Sequence, residues 1–293
     1  KLVTLKKDAP IDRKIEEFKL LEIDKDKLYK FLREMEFNRL LSSAISAYGE
    51  PDLSSQNVDL EIKKKPQVIN KKNYYLIKNE KEIDKWIKEA EESGELAIDT
   101  ETSSLDAHQA ELVGISLSTK IGRACYIPIG HKSDRCLKKE VVLKKLKPLL
   151  EDKSVKKIGQ NIKFDFIVLF KQDIKMNSME DTMLMSYVLD AGKNRHNMNT
   201  LSEIHLNHKT ITFKEMVGTG KKEINFGEVE LQKAMEYAAE DADITYRLYK
   251  IFNKNLKTEK LTNIYEIFEK PLIKILALMA VSYTHLRAHE TLR

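Results

Sequence analysis

The chain has 293 residues, of which 42% are hydrophobic and 33% charged, and its formal net charge is +5 at pH 7. This composition supports a buried core and excludes a disordered polymer. No apolar run approaches the roughly 20 residues of a membrane span, and no secretory signal opens the chain. The positive charge is compatible with a nucleic-acid partner but does not require one. Cys125 and Cys136 lack zinc-type spacing, so we expect free thiols in a reducing cytoplasm.

The first 48 residues have the spacing of amphipathic helices. Apolar side chains recur at three- and four-residue steps in "IDRKIEEFKLL" and "DKDKLYKFLREMEFNRLLSSAISA", which predicts two helical segments. Asp24 or Asp26 is placed to cap the second segment. Residues 49–66 combine prolines with serines, asparagine and a lysine run, a composition typical of a linker.

From Val68 onward, strand and helix patterns are mixed. The runs "NYYLIK", "ELAIDTE", "ELVGISLST", "RACYIPIG" and "VKKIG" predict strands, and the middle three predict an antiparallel meander. Helical patterns occur in "EKEIDKWIKEAEESG", which ends near Gly94, and in "KKEVVLKKLKPLLED", "IKFDFIVLFK", "DTMLMSYVLDAG", "MNTLSEIHL" and "EVELQKAMEYAAEDADITYRLYKIF". Together they predict an α/β domain whose mixed central sheet has helices on both faces.

Acidic residues follow an apolar run in "LAIDTETSSLD", residues 96–106. If this segment is a strand, Asp99 and Glu101 share a face, with Cα atoms ~6 to 7 Å apart. Two carboxylates at that distance repel each other and raise each other's pKa unless a cation lies between them. Hard divalent cations prefer such oxygen ligands. The alternative is a strand that has simply reached the polar surface.

Two further acids lie in apolar surroundings. Asp165 stands in "IKFDFIVLF", where an unpaired buried carboxylate would be costly, so either a functional role or a structural hydrogen bond is needed to explain it. Asp241 stands in "MEYAAEDADITYRLY", four residues after Tyr237, and the two therefore share a helical face. For Asp241 the alternative is a solvated acid on an amphipathic helix.

Four carboxylates and a phenol on separate elements fit a two-metal hydrolytic site. Two divalent ions ~3.5 to 4 Å apart, bridged by a carboxylate, promote in-line displacement at phosphorus. One ion lowers the pKa of a bound water, and the other stabilises the leaving 3′ oxygen. Tyr237, with an ordinary pKa of ~10, is neutral at pH 7. We therefore expect it to orient the attacking water rather than to act as a strong base.

In chain order, "AIDTETSSLD", "GQNIKFDFIVL" and "YAAEDADITYRL" resemble the three exonuclease motifs of bacterial family A DNA polymerases, the DNA polymerase I family. The similarity covers about residues 67–257 and is to the 3′–5′ proofreading exonuclease domain of the DEDD/tyrosine subclass. It implies a ribonuclease-H-like α/β fold with a small helical segment before it. It also implies that two Mg²⁺ or Mn²⁺ ions and a water-positioning Tyr237 form the site, with the metal ligands Asp99, Glu101, Asp165 and Asp241.

The same resemblance implies five nucleic-acid contacts, namely Thr102, Leu105, Asn161, Arg195 and Phe213. Leu105 can wedge against terminal bases, and Phe213 can stack on one. Arg195 and Asn161 can hold phosphate or sugar. Phe164 departs from the family pattern, in which a tyrosine is common, so no hydroxyl contact is expected there. Each contact residue has an alternative as an ordinary core or surface residue.

The flanks resemble the same family more weakly. Residues 1–48 resemble the helical C-terminal end of a 5′ nuclease domain without its metal-binding acids, and residues 49–66 link it to the exonuclease domain. Residues 258–281 resemble the start of the polymerase domain, with Pro271 expected to bend or interrupt the helix. The chain begins with Lys1 rather than Met, so we expect a fragment. Because the resemblance to the polymerase domain stops near residue 281, we expect no polymerase activity.

Two further patterns carry less weight. Residues 282–293 fit neither the family nor the preceding pattern. His285 and His289 there have a metal-compatible i, i+4 spacing, but a non-native tail is the favoured interpretation. "GTGKK", Gly218–Lys222, lacks the full spacing of a phosphate loop, so we interpret it as a loop with two lysines near DNA.

The favoured hypothesis is a 3′–5′ exodeoxyribonuclease that shortens a single-stranded 3′ end or a frayed primer terminus. It would proofread for the polymerase domain of a bacterial, cytoplasmic parent protein, as a monomer and without a membrane partner. One alternative is a catalytically silent DNA-binding or scaffold module, which the intact acidic set disfavours. Another is a 3′–5′ exoribonuclease, which the flanking segments disfavour.

Overall fold

A computed structural model describes residues 23–35, 37–49, 69, 71–132, 136–220 and 224–290. The chain divides into two compact units, Lys1–Ile62 and Lys63–Arg293, and each is described by itself. Among the described residues, no helix is both long enough and apolar enough to cross a membrane. The predicted helix over residues 11–21 and most of the predicted linker lie outside the described residues.

The first unit contains two helices, α1 (Lys25–Glu34) and α2 (Asn38–Tyr48). Asp24 caps α1 as predicted, because its carboxylate accepts a hydrogen bond from the Lys27 N–H at 3.1 Å. The sequence predicts one continuous helical segment here, and this is wrong, since α1 and α2 are separate helices that pack on each other. The split buries three side chains between them, those of Tyr29, Leu32 and Ala44.

The second unit is built on a six-stranded sheet with the order β1-β4-β3-β2-β5-β6. The strands are β1 (Tyr74–Leu76), β2 (Glu95–Thr102), β3 (Leu112–Lys120), β4 (Arg123–Pro128), β5 (Lys156–Gly159) and β6 (Met179–Asp181). The predicted antiparallel meander of β2, β3 and β4 is confirmed, and the remaining pairs are parallel. Strand β6 is not predicted from the sequence, because three residues are too few to show a two-residue period.

One face of the sheet is covered by α3 (Glu80–Ser93), α4 (Lys139–Glu151) and α5 (Lys163–Phe170). In α3 the buried residues recur at helical spacing, which packs one stripe against the sheet. Gly94 ends α3 with φ +67°, a left-handed conformation that glycine adopts without steric cost. The predicted end of this helix is therefore confirmed.

The other face carries α6 (Thr182–Asp190), α7 (Met198–Leu206), α8 (Phe213–Val217) and α9 (Leu231–Thr258). With 28 residues, α9 is the longest of these helices, and it packs against several strands. The sequence analysis missed α8, since its five residues make less than two turns and show no clear period.

Beyond α9 the chain continues through α10 (Thr262–Ile264), a π-helical turn (Tyr265–Glu269) and α11 (Lys270–Glu290). Pro271 has no N–H and crowds the carbonyl four residues earlier. The interruption expected at this proline takes the form of the π-helical turn. The helix α11 extends through residues assigned by the sequence analysis to a non-native tail, and the side chains of its two histidines lie outside the described part of the structure.

Candidate active site

A cavity of about 630 Å³ opens at the end of β2, between α5, α8 and α9. The residues of its wall are 99–105, then 160, 161, 164 and 165, then 213 and 214, then 224–226, and finally Tyr237 and Asp241. Strand β2 lies in the middle of the sheet. The cavity therefore forms where a central strand leaves the core and two helices from opposite faces meet it.

The alternation of β2 places its two acids on one face of the sheet. Leu96 and Ile98 pack in the core beneath α3, α4 and α5, whereas Ala97 packs with residues of α9 on the opposite face. Asp99 and Glu101 follow Ala97 at two-residue steps and therefore point to the α9 face. The predicted shared face is confirmed.

Gly114 leaves space beside this acidic pair. It is the cross-strand partner of Glu101 on β3, and a Cβ at position 114 would lie 2.1 Å from the Tyr126 hydroxyl. Only glycine admits the buried Tyr126 ring at this point. The Tyr126 hydroxyl lies 2.7 Å from Nε2 of His131. The Tyr126 side chain thus extends from β4 over Gly114, the cross-strand partner of Glu101.

Asp241 completes a carboxylate triad with Asp99 and Glu101, in which one oxygen from each residue lies within 4.8 Å of the others. Glu101 and Asp241 are only 5% and 8% exposed, and Asp99 is half-buried. Tyr237, one turn earlier on α9, lines the same cavity as Asp241. Folding thus brings a strand end and a distant helix together at one point.

Asp165 reaches the cavity from α5, on the opposite face of the sheet. Its Oδ1 accepts hydrogen bonds from the Thr100 N–H at 2.8 Å and from Thr100 Oγ1 at 2.6 Å. Thr100 points away from Asp99 and Glu101 along β2, and the 4.8 Å triad accordingly does not include Asp165. The structural hydrogen bond foreseen for Asp165 is confirmed. Asp165 also lines the cavity, and its role as a metal ligand stays a prediction.

Burial raises the pKa of all four carboxyl groups, and repulsion from neighbouring carboxylates adds to this for Glu101, Asp165 and Asp241. Burial raises the pKa of Asp99 to about 6. The pKa of Glu101 is raised by burial and then by the charges of Asp99, Asp241 and Asp165. Burial, followed by the charge of Asp99, raises the pKa values of Asp165 and Asp241. Burial and then Asp241 raise the pKa of the Tyr237 phenol, which stays protonated at neutral pH.

This donor set fits a divalent cation. Oε1 of Glu101 is buried and has no hydrogen-bond partner among the described residues, and a buried polar atom without a partner is unfavourable. A cation would meet that oxygen and relieve the repulsion between the carboxylates. Carboxylate oxygens are the ligands that Mg²⁺ and Mn²⁺ prefer.

Four of the five predicted nucleic-acid contacts line the cavity, namely Thr102, Leu105, Asn161 and Phe213. Leu105 is 87% exposed, so an apolar side chain stands in solvent at the rim. Asn161 has a positive φ of 59°, and its N–H donates to Oδ1 of Asp181 at 3.1 Å. That these residues touch a substrate stays a prediction.

Arg195, the fifth predicted contact, does not belong to the cavity wall. It is exposed in the segment between α6 and α7. The carbonyl oxygen of the next residue, His196, accepts a hydrogen bond at 2.7 Å from Nε2 of Gln160, and Gln160 is in the wall. Arg195 therefore adjoins a residue that contacts the wall, and its phosphate contact stays a prediction.

The sequence analysis missed several wall residues, among them Gln160, Lys214, Asn225 and Phe226. Gln160 and Lys214 each adjoin a residue already singled out, so adjacency was an available signal. Phe226 offered no such signal. It lies in a short 3₁₀ turn and stacks on Phe213 with ring centroids 6.0 Å apart, a contact that only the tertiary fold creates.

The fold and the acidic cavity define a class, the exonucleases of ribonuclease-H-like fold. Brucella melitensis NrnC superposes with a TM-score of 0.51 and 24% identity over 72% of this chain and 90% of that chain. Escherichia coli RNase D, an exoribonuclease, gives a TM-score of 0.51 and 16% identity over 70% of this chain and 50% of that chain. These likenesses show the fold.

Sequence comparison then shows the family. A family model described as 3′–5′ exonuclease matches residues 74–257. DNA polymerase I of Rhizobium leguminosarum is 43% identical over 70% of this chain, and that of Pseudomonas aeruginosa is 35% identical over 94%. The chain belongs to the 3′–5′ exonuclease domain family of DNA polymerase I. It spans 22% and 30% of the lengths of these two relatives.

Proposed function

We propose that this domain hydrolyses single-stranded DNA from its 3′ end, one nucleotide at a time, in the cavity at the end of β2. The convergence of Asp99, Glu101 and Asp241 within 4.8 Å is the observation that carries this proposal. Clustered buried carboxylates oppose folding, because burial and mutual repulsion disfavour their charged forms. Their presence at one site therefore indicates a function that depends on their negative charge. Hydrolysis of a phosphodiester with bound cations is such a use.

Two divalent ions, Mg²⁺ or Mn²⁺, are the cofactors that this donor set suits, held by Asp99, Glu101, Asp165 and Asp241. Such ions, when bound, supply an activated water and neutralise charge on the phosphate. The strand end orients Asp99 and Glu101, and α9 directs Asp241 toward them. Thr100 fixes the carboxylate of Asp165 through two hydrogen bonds.

Tyr237 orients the attacking water in this proposal. Because its pKa is raised, the hydroxyl stays protonated, so it can donate a hydrogen bond to a nearby carboxylate and accept one from water. Tyr237→Phe should therefore slow hydrolysis by about tenfold to a hundredfold, the range for an outer-shell partner. Single-turnover rates on a short single strand check this. A loss as large as that of a carboxylate variant would contradict an orienting role.

The cavity wall suits the end of a single strand. Phe213 offers a ring on which a terminal base can stack, and such stacking tolerates every base. Leu105, exposed at the rim, can wedge against the neighbouring base. Lys214 adds a positive charge to the wall and can contact phosphate. Bases in a duplex are already stacked and paired, so these contacts favour an unpaired end.

The choice of DNA follows from the family, since the relatives are bacterial DNA polymerases I. In a longer parent chain the domain would proofread a frayed primer terminus for the polymerase domain. We propose that the protein acts in the bacterial cytoplasm and as a monomer.

A 5′-labelled single-stranded DNA, incubated with the chain and Mg²⁺, tests the proposal. The expected product is a ladder that shortens from the 3′ end. Excess EDTA should abolish it, and Asp241→Asn should slow it by about a thousandfold. A strand that stays intact with both Mg²⁺ and Mn²⁺ would leave only a non-cleaving DNA-binding module. Hydrolysis that persists in excess EDTA would remove the metal assignment.

A matched RNA strand tests the choice of nucleic acid. The same labelled sequence as RNA should be degraded more slowly than the DNA. Faster degradation of the RNA would assign the chain to exoribonucleases, the activity named for RNase D.

A further inference from the structure

Glu240, the residue before Asp241 on α9, carries a carboxylate that is 0% exposed and lies outside the cavity wall. Its Oε1 lies 2.9 Å from Nε2 of His208 and 2.9 Å from Nζ of Lys71. Its Oε2 accepts a hydrogen bond from the Ile211 N–H at 2.8 Å. Both oxygens are thus committed to segments far from α9 in sequence.

Two of these three contacts hold residues 208–211, which lead directly into α8. Thr212 then caps α8 in a capping box, in which Glu215 accepts hydrogen bonds from the Thr212 N–H at 2.6 Å and Oγ1 at 2.8 Å. A helix of five residues is too short to be stable alone. Its position therefore depends on the residues that anchor its start, and Glu240 binds the residue next to the cap.

The start of α8 is the part of the helix that faces the cavity. Phe213 and Lys214 line the wall, and the Phe213 ring packs 6.3 Å from the Tyr237 ring of α9. Val217, at the other end of α8, packs with residues of α9 in the core. The start of α8 is connected to α9 by two further contacts, the buried polar contact of residues 208–211 with Glu240 and the aromatic contact of Phe213 with Tyr237. The aromatic contact lies in the cavity wall, whereas the polar contact at Glu240 lies outside it.

We infer that Glu240 is a positioning residue that holds Phe213 and Lys214 in the arrangement that receives the 3′-terminal nucleotide, an inference that rests on the proposed function of the cavity. Glu240→Gln keeps the size of the side chain but replaces one acceptor oxygen with a donor. At least one of the three partners then loses its acceptor, and buried groups without partners are unfavourable. Residues 208–214 should loosen while the sheet stays intact.

Asp243 provides a matched control on the same helix. It is also 0% exposed and accepts three hydrogen bonds, from the Tyr74 hydroxyl at 2.8 Å, the Gly122 N–H at 2.7 Å and Arg247 Nε at 3.0 Å. These partners lie on β1, in the β3–β4 turn and on α9 itself. Asp243→Asn should therefore weaken folding without displacing α8.

The experiment compares the wild-type chain, Glu240→Gln, Asp243→Asn, Phe213→Ala and the Glu240→Gln/Phe213→Ala double variant. The Kd for a fluorescein-labelled single-stranded DNA is measured in EDTA, and KM and kcat are measured in Mg²⁺. Glu240→Gln should raise Kd and KM about tenfold, the size of one lost base–aromatic stack, with kcat within about twofold of the wild type. Asp243→Asn should change neither Kd nor KM. The double variant should bind no more weakly than Phe213→Ala alone.

Several results would overturn the inference. Additive losses in the double variant would mean that Glu240 does not act through Phe213. A fall in kcat with unchanged KM would place its effect at Asp241 instead. Equal losses in Glu240→Gln and Asp243→Asn would show a general structural role. If Glu240→Gln does not fold, His208→Ala removes the contact of Glu240 with His208 instead. The same binding and kinetic measurements on that variant then test the inference.

The two proposals fail in different ways. A wild-type chain that neither binds nor degrades a single strand removes the proposed function. A wild-type chain that degrades DNA while Glu240→Gln matches it in Kd and KM removes only the inference about Glu240. Hydrogen exchange of the Ile211 amide gives an independent readout: it should speed up in Glu240→Gln and stay unchanged in Asp243→Asn.

Discussion

At the scale of single residues, the triad of Asp99, Glu101 and Asp241 has two opposing effects. The grouping that suits a divalent cation also places like charges within 4.8 Å in a buried site. Without a cation this repulsion opposes folding, since each charge disfavours the ionised form of its neighbours. Activity and metal-free stability should therefore respond to the same substitution in opposite directions.

Asp241→Asn separates these two effects. Hydrolysis of single-stranded DNA in Mg²⁺ should fall by about a thousandfold, at the upper end of the effect of removing one electrostatic group from an active site. The thermal midpoint in EDTA should rise by about 2 to 4 °C, as for a gain of about 1 kcal/mol. Calorimetry in EDTA and with Mg²⁺ measures the second effect. A lower midpoint in EDTA would show that the repulsion is not a net cost.

The buried Lys157 on β5 should make the stability of the fold depend on pH. Its side chain is fully buried, Nζ donates to the carbonyl oxygens of Asp152 and Val155, and burial lowers its pKa from 10.5 to about 8. The folded chain then binds fewer protons at this site than the unfolded chain, so its contribution to stability rises as pH increases from about 8 to 10.5.

Urea unfolding of the wild type and Lys157→Met at pH 7.5 and 9.5 tests this. The difference between the free energies of unfolding, wild type minus Lys157→Met, should increase with pH, by at most about 1.4 kcal/mol per pH unit. The other titrating groups contribute equally to both chains, so their effects cancel in this difference. A difference that stays constant with pH would mean that Lys157 keeps an ordinary pKa in the fold.

At the scale of elements, the loop after β2 is held by the residue that follows α5. Nζ of Lys171 donates to the carbonyl oxygens of Ala107 at 3.3 Å, His108 at 2.6 Å and Ala110 at 3.1 Å. The same loop presents Leu105 at the cavity rim. Helix α5 thus carries Asp165 near its start, and Lys171, just past its end, holds the loop that forms the cavity rim.

Lys171→Met should loosen this loop, because three carbonyl groups lose a charged donor. We expect KM for single-stranded DNA to rise by about threefold to tenfold, with kcat nearly unchanged, as for hydrogen bonds to a charged group. Lys145→Met is the control, since Lys145 pairs with Asp84 at 2.6 Å on the α3–α4 surface. An equal rise in KM for both variants would refute a specific role of the loop contact.

At the scale of the whole molecule, the exonuclease site belongs to one unit. The six strands, the cavity wall and α3 to α11 all lie within residues 63–293, which form a compact unit. A compact unit with its own core can fold by itself. The assignment of residues 1–48 and 258–281 to neighbouring domains of a longer chain stays a prediction.

A chain that begins at residue 63 should retain the activity of the 293-residue chain. We expect kcat/KM within about twofold and one cooperative unfolding transition with a similar midpoint, as for an autonomous domain. Circular dichroism melting and the single-strand assay check both quantities. Loss of the transition would show that the first 62 residues are needed for the fold.

Much of the architecture followed from local pattern. The meander, the end of α3 at Gly94 and the cap at Asp24 were predictable because each depends on residues close together in sequence. The missed elements, β6 and α8, are too short to show a period. The separation of α1 from α2 was missed because helical spacing continues across it, and only packing between the two helices reveals the break.

For the site, the sequence by itself determined which acids share a face. A two-residue step on a strand pairs Asp99 with Glu101, and a four-residue step on a helix pairs Tyr237 with Asp241. Only the tertiary structure decided that Asp165 binds Thr100 outside the triad. It also decided that Phe226 stacks on Phe213 and that Arg195 lies outside the cavity wall. Local periodicity fixes directions within one element, whereas these contacts depend on how separate elements pack through a shared core.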